Sequence, residues 1–259
     1  MSLLRAVLRA FLVQMKLRVI EPFAYLNVIF FPLVVTAIGL FMLSPHTHAE
    51  RVAYAILGGG LIGFWSVTYL NASNDIDGER WTGTLEQIMG APTPLVAIVL
   101  GKMVSTMVVG LVSFLPTIAL AYLGFRRTLP PIDILPFIIS LVTTMVAFFS
   151  LGMALAPMFT LARWVFPLIN GLELLVYVFC GFMFPIGQLP GWVQAVSWFL
   201  PPTWSVRSLY AAAGEPVGHN YVAWWSASIL LSALYLGLSL LFFRFVERRA
   251  RVSGQLASA

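Results

Sequence analysis

The chain has 259 residues, of which 60% are hydrophobic and only 10% are charged, whereas soluble domains are about 45–50% apolar and about 25% charged. This composition excludes a soluble globular protein and predicts an all-α polytopic membrane protein. The net charge of +5 fits basic residues that orient membrane spans, so it does not indicate a nucleic-acid partner.

The N-terminal segment, residues 2–20, is predicted to form an amphipathic helix that lies in the membrane interface. On a helical wheel its basic side chains group on one side and its larger apolar side chains gather on the other. The basic residues are Arg5, Arg9 and Lys16, and the apolar ones are Leu4, Val7, Leu8, Phe11 and Met15. The alternative interpretation is a frayed basic tail.

Six runs with few or no charges are each long enough to cross a bilayer, which takes about 20 apolar residues in a helix. The runs are 22–43, 53–74, 94–125, 134–162, 164–184 and 221–243. Six spans place both termini on one side. If that side is the cytoplasm, eleven of the 15 Lys and Arg residues face it and four face away. We therefore expect a multi-pass protein of the plasma or inner membrane with both termini in the cytoplasm.

Residues 78–90 form a polar segment between the second and third runs. Thr84 and Gln87 have the spacing of a capping box, and Glu86 lies in the first turn, where the helix dipole favours an anion. Gly90 is placed to end the helix. Because so short a helix is marginally stable alone, we expect it to pack on a partner surface. The alternative is that it folds onto the membrane face.

Residues 185–210 separate the fifth and sixth runs and are broken by prolines, so they do not cross as one helix. They are nevertheless apolar, and Trp192, Val196 and Leu200 share one face of a helix. We interpret the segment as short re-entrant helices on the external side, which need protein to pack against. A plain interfacial anchor is the alternative.

Two stretches together resemble the type-two ATP-binding-cassette (ABC) export permeases. The first is ERWTGTLEQIMGAPTPLVAIVLGK, with a Gly-Thr-Leu-Glu run, a proline turn and a Gly-Lys that enters the third span. The second is FMFPIGQLPGWVQAVSWFLPPTWSVRSLY, the proline-bearing block before the last span. The resemblance covers nearly the whole chain.

The resemblance implies that residues 78–90 are a coupling helix, which docks in a groove of a separate nucleotide-binding subunit. By position, the contact residues would be Glu79, Arg80, Trp81, Thr84, Leu85, Glu86 and Gln87. The helix over 2–20 would match the family's interface helix, which leans on the same partner. Two permease chains, as a homodimer or with a similar sister chain, and two ATPase chains would form the working unit.

A nucleotide-binding motor is not predicted within this chain. Gly101 and Lys102 are followed by Met103 and lack the earlier glycine of a P-loop, so nothing cradles phosphates. The energy source is therefore external, either a partner ATPase that binds ATP and Mg²⁺ or an ion gradient. No cofactor and no catalytic residues are predicted for the chain itself.

Glu173 interrupts the fifth run and is the candidate substrate-path residue. An unpaired charge in the middle of a membrane costs at least about 2.5 kcal/mol, so such residues are often functional. Glu173 would line the path, bind a cationic substrate or carry protons. The alternative is a hydrogen-bonded packing residue. His46 and His48 lack further ligands nearby, so no metal site is predicted.

These observations predict the membrane subunit of an ATP-driven exporter. Short external loops favour an amphipathic drug, a lipid or a lipid-linked glycan as substrate over a folded protein. The rival prediction is an ion- or proton-coupled secondary transporter or channel that uses Glu173.

Overall fold

The computed structural model describes residues 3–20, 26–43, 49–81, 95–126, 131–161, 169–214 and 220–253. Within these ranges the chain forms helices and no strand, which confirms the predicted all-α class. The α-helices are α1 (Leu3–Ile20), α2 (Phe31–Phe41), α3 (Ala49–Trp81), α4 (Leu95–Leu111), α5 (Phe114–Ala119), α6 (Ile134–Leu161), α7 (Ile169–Phe179), α8 (Gly191–Ser197), α9 (Pro201–Ala212) and α10 (Tyr221–Ser253). Short π-helical turns cover Leu26–Phe30 and Leu120–Gly124, and a 3-10 turn covers Ile186–Gln188.

Four helical stretches are long and apolar enough to cross a bilayer. They are Val52–Tyr69, Ala97–Gly124, Ile134–Ala156 and Tyr221–Phe245, and they coincide with the predicted spans 53–74, 94–125, 134–162 and 221–243. The apolar helix Val28–Phe41 is shorter, and α7 has 11 residues. The total of six spans also needs 22–43 and 164–184, which the structure describes only in part, so that number stays a prediction.

The helix α3 lies at the centre of the bundle. It contacts α2, α4, α5, α6 and α7, and every residue from Val52 to Tyr69 is buried. It also extends beyond the predicted span at both ends and includes residues 78–81 of the predicted coupling helix. The charged residues after position 74 therefore continue the helix, because helix length is not limited to the apolar stretch that hydropathy detects.

Consecutive glycines let the neighbours of α3 approach its backbone closely. A Cβ atom on Gly58 would overlap the backbone carbonyl of Phe182, and one on Gly60 would overlap the ring of Phe114. Small residues at helix contacts are typical of membrane proteins, where close packing replaces the hydrophobic effect as the source of helix association. The centre of the bundle thus has no room for larger side chains at these positions.

The bundle has two ends, which we name by residues of α3. At the Tyr54 end, Tyr54 stacks on Tyr210 with ring centroids 3.9 Å apart, and Phe41 meets Phe125. At the opposite end, the Trp81 end, Phe243 of α10 packs in one cluster with residues of α4 and α6. α1 contacts the start of α4 at Gly101, so α1 and the part of α10 around Phe243 belong to the same end.

The third predicted span is interrupted. α4 ends at Leu111 and α5 begins at Phe114, with a turn at Val112 and Ser113 between them. Pro116 explains the position of this break, since its ring clashes with the carbonyl four residues earlier and it donates no hydrogen bond. The Ser113 hydroxyl donates to the Gly60 carbonyl at 2.9 Å, so the turn is held against α3.

The proline-rich block 185–210 folds into α8 and α9 rather than one long helix. Ten of the twelve residues of α9 are buried, and α9 packs on α6 and α10. α8 instead leaves Trp192 and Val196 exposed. The short helices agree with the predicted break at the prolines, and their depth in the membrane stays a prediction.

Candidate functional site

The predicted coupling residues lie at and beyond the Trp81 end. Glu79, Arg80 and Trp81 occupy the last turn of α3, and their side-chain contacts are outside the described part of the chain. Thr84, Leu85, Glu86 and Gln87 lie outside the described residues altogether. The structure therefore gives the route that leads to the predicted contact, and the contact itself stays a prediction.

That route is one unbroken helix. α3 has 33 residues, which at 1.5 Å per residue gives a rod about 50 Å long. It runs from the Tyr54 end through the buried centre to the last residue before the undescribed segment. A displacement applied at residues 79–81 would thus move the helix that touches the largest number of neighbours.

The helix α1 is fixed to the start of α4 through backbone contact. Gly101 faces the backbone carbonyl of Val7, and a Cβ atom on Gly101 would lie 2.7 Å from the Cβ of Ala10. Gly101 belongs to the Gly-Lys pair noted in the sequence. Its role in the structure is to let α1 cross α4 closely at the Trp81 end.

The surface of α1 has three faces. Ala6 and Gln14 are buried against the bundle, and Leu4, Leu8 and Leu12 are exposed. The predicted basic residues Arg5, Arg9 and Lys16 are also exposed and form a separate face. A helix with one protein-facing, one apolar and one basic surface is suited to the membrane interface, and that location stays a prediction.

Glu173 is buried between α7 and α3, with 8% of its surface exposed. Its Oε1 atom accepts hydrogen bonds from the hydroxyls of Ser66 on α3 and Tyr177 on α7. The two hydroxyl oxygens are 2.5 Å apart. The carboxyl group is therefore enclosed in a triangle of oxygen atoms, and both donors come from side chains that the sequence did not single out.

This polar triangle has aromatic surroundings. Tyr69 stacks on Trp65 with centroids 5.3 Å apart, and Phe148 meets Trp65 at 5.4 Å. Among the described residues, the indole N–H of Trp65 is buried without a hydrogen-bond partner. Chemically, the arrangement can hold a proton or join two helices by hydrogen bonds, so it is compatible with two of the predicted roles of Glu173.

Two substitutions of Glu173 distinguish these roles by their effects on the stability of the folded protein. We expect Glu173→Gln to fold like the wild type, since the amide oxygen accepts hydrogen bonds from both hydroxyls. Glu173→Leu removes the shared acceptor. Because the two hydroxyls can then bond only to each other, one buried donor is left unpaired, at about 1–3 kcal/mol, and the variant is expected to unfold at lower denaturant concentration. Thermal and denaturant unfolding in lipid nanodiscs provide the measurement. Equal destabilisation by both variants would show that the negative charge itself is required.

A cavity of about 330 Å³ lies at the Tyr54 end, between α3, the turn after α7, α8 and α9. Aromatic side chains form much of its wall, namely Tyr54, Trp198, Trp204 and Tyr210. The Tyr210 hydroxyl donates to the Phe182 carbonyl, which fixes the turn that contains Gly181 (φ 68°). The segment 185–210 thus covers a space rather than a solid core.

Arg207 contributes positive charge to the cavity wall. Its guanidinium carbon lies 4.9 Å from the ring centroid of the buried Trp224, a cation–π arrangement. In the sequence, Arg207 is one of the four basic residues expected to face away from the cytoplasm, and no binding role is predicted for it. Its spacing of three residues from Tyr210 on α9 was the available signal. The cavity, however, also needs residues of α3 and α8, so it is not visible from one segment.

The predicted absence of a metal site is not tested at its main candidates. His46 and His48 lie outside the described residues. Within the described ranges, no group of three or more metal-binding side chains occurs.

Comparison with known proteins assigns the family. The family model described as ABC-2 type transporter matches residues 6–213. The match extends from α1 through α9 and includes the undescribed segment 82–94. No curated protein matches the chain.

Proposed function

The chain belongs to the ABC-2 type transporter family, and from that premise we propose that it is the permease subunit of an ATP-driven exporter. Members of this family are multi-pass membrane components of ABC transporters. The membrane component is not itself catalytic. The direction of transport, the partner ATPase and the substrate belong to the proposal. The observation that carries it is the unbroken α3, which links the predicted coupling segment to the centre of the bundle.

In this mechanism, two ATPase subunits bind ATP and Mg²⁺ and close on each other. Residues 78–90 sit in a groove of the ATPase and move with it. The motion enters α3 at Trp81 and reaches every helix that packs on the Val52–Tyr69 stretch. α1, which is attached to α4 at Gly101, would be a second contact with the same ATPase.

A second permease chain is expected to complete the path. The protomer exposes large apolar side chains on the π-helical turn before α2, on α2 and on α7, which either lipid or a second copy covers. They include Phe30, Phe31, Ile38, Leu174 and Leu175. We propose a homodimer, with substrate entering from the cytoplasm or inner leaflet and passing near α2, α3 and α7. It leaves at the Tyr54 end, beneath α8 and α9.

The proposed substrate is an amphipathic drug, a lipid or a lipid-linked glycan. Support comes from the aromatic wall of the cavity at the Tyr54 end, which suits a molecule with both apolar and polar parts. The proposed location is the plasma or inner membrane, with both termini in the cytoplasm. α1 and the last described turns of α10 lie at the same end of the bundle, which is compatible with that topology.

The proposal is tested first by reading the neighbouring reading frames, one of which is expected to encode a Walker-type ATPase, and then by co-expressing that ATPase with this chain. We expect a stable complex of two permease and two ATPase chains by native mass spectrometry, with vanadate-sensitive ATP hydrolysis in nanodiscs.

The rival function, a secondary transporter or channel, rests on the buried triangle around Glu173 and predicts transport without an ATPase. In that case the chain alone, in liposomes, would dissipate an imposed pH gradient, and Glu173→Gln would abolish the flux. This second result, with no ATPase bound, would overturn the proposal.

A further inference from the structure

The wall of the cavity at the Tyr54 end includes one cation, Arg207, for which the described part of the chain supplies no acidic partner. Arg207 is exposed to the cavity. Within the described residues, its guanidinium lies over the ring of Trp224 in a cation–π contact. A guanidinium has five N–H donors, and a cation–π contact does not use all of them. The remaining donors are the groups that bind phosphate or carboxylate in two-point contacts.

The other polar groups that line the cavity are already engaged. The Gln194 side-chain amide donates to the Leu189 carbonyl at 2.8 Å, and the Trp204 indole donates to the Trp198 carbonyl at 3.0 Å. Tyr210 donates to a backbone carbonyl as described above. Since these donors hold the walls together, Arg207 is the group left to choose the ligand, and it selects negative charge.

The surface around the cavity is apolar. Trp192 and Phe199 are each 70% exposed, and Trp198, 57% exposed, both lines the cavity and reaches this surface. A volume of about 330 Å³ is at the lower end of the range of ligand sites, about 300–1,000 Å³. It therefore has room for a head group, while attached hydrocarbon chains would lie outside along the tryptophans.

We propose that this cavity binds the anionic head group of an amphipathic molecule, with Arg207 contacting the anion and Trp198 contacting the start of the apolar chain. The inference rests on the proposed function, because it names the class of cargo that leaves at the Tyr54 end. A phosphate on a lipid and a soluble phosphate ester share the anion chemistry. The aromatic rim favours the lipid, and the experiment below compares the two.

The test measures binding to the purified full-length chain in nanodiscs of neutral phosphatidylcholine. Tryptophan fluorescence is followed while short-chain phosphatidic acid, short-chain phosphatidylcholine or glycerol 3-phosphate is added. We expect saturable binding of the phosphatidic acid, and binding of the other two at least about tenfold weaker. Arg207→Gln should weaken phosphatidic acid binding about tenfold, the loss expected for a charge-assisted contact, and Arg207→Lys should weaken it less.

Arg126→Gln is the matched control, because Arg126 is also exposed and follows the Leu120–Gly124 turn at the same end, outside the cavity. Its binding should equal that of the wild type. Equal affinity of Arg207→Gln and wild type, or of the two lipids, would overturn the inference. So would equal binding of glycerol 3-phosphate, which would indicate a soluble anion. No ATPase is present in this assay, so a failure here accompanied by normal ATP hydrolysis in the co-expressed complex would leave the proposed function intact.

Discussion

The double variant Leu85→Asp with Glu86→Arg is expected to release the partner ATPase and reduce vanadate-sensitive ATP hydrolysis of the purified complex to background. Leu85 would supply an apolar anchor and Glu86 a charge at the centre of a small contact. Such central residues each contribute at least about 2 kcal/mol, or about thirtyfold in affinity, so the double change should weaken association by up to about a thousandfold. Native mass spectrometry and ATP hydrolysis measure the effect.

The control introduces the same two residues at the other end of the molecule. Gly187→Asp with Gln188→Arg places an acid and a base side by side in the exposed 3-10 turn, where a side chain on Gly187 meets no atom within 4 Å. This variant should retain the ATPase. If Leu85→Asp with Glu86→Arg also retains it, residues 78–90 are not the coupling helix.

Gly58→Val is expected to cause the largest loss of stability among substitutions in the described part of α3. The new side chain would overlap the Phe182 carbonyl, a backbone atom that also accepts the Tyr210 hydroxyl. Backbone does not move aside as a side-chain tip does. We expect destabilisation of at least about 3 kcal/mol, at the upper end for overpacked cores. Denaturant unfolding in nanodiscs, followed by tryptophan fluorescence, measures it.

Gly237→Val provides the matched control for this experiment. Gly237 lies within α10, and a Cβ atom there meets nothing within 4 Å. Its unfolding should stay within about 0.5 kcal/mol of the wild type, as for most surface substitutions. Comparable destabilisation of both variants would mean that valine within a membrane helix, rather than contact with the Phe182 turn, is responsible.

Composition and hydropathy were sufficient to predict the helical class and four of the spans. They detect the length of an apolar run, which matches a spanning helix when the run is regular. They did not foresee that α3 continues through its charged end to Trp81, since this depends on backbone hydrogen bonding, which hydropathy does not measure. The break of the third span at Val112 and Ser113 has a local signal in the sequence, because Pro116 is expected to kink that span. The prolines of 185–210 likewise act locally, and the break that they predicted is present.

The candidate site was harder to foresee. Glu173 was identifiable because a carboxylate is rare in an apolar run. Its partners Ser66 and Tyr177 were not, since Ser66 is more than one hundred positions away and serines are common in membrane helices. The cavity beside Arg207 joins residues from α3, α8 and α9. Such a space arises from the packing of distant segments, and one sequence gives no signal for it.

The junction at Gly101 has a consequence for how this protein adapts to different lipids. At Gly101, α1 meets α4 through main-chain atoms of Val7 and Phe11 and the methyl group of Ala10, so this close approach does not involve the exposed residues Leu4, Leu8, Arg5 and Lys16. Those positions are free to vary over evolution without weakening the contact between α1 and α4 at Gly101. Descendants in membranes of different surface charge would therefore diverge along the outer stripe of this first helix, while the glycine beneath it stays constant.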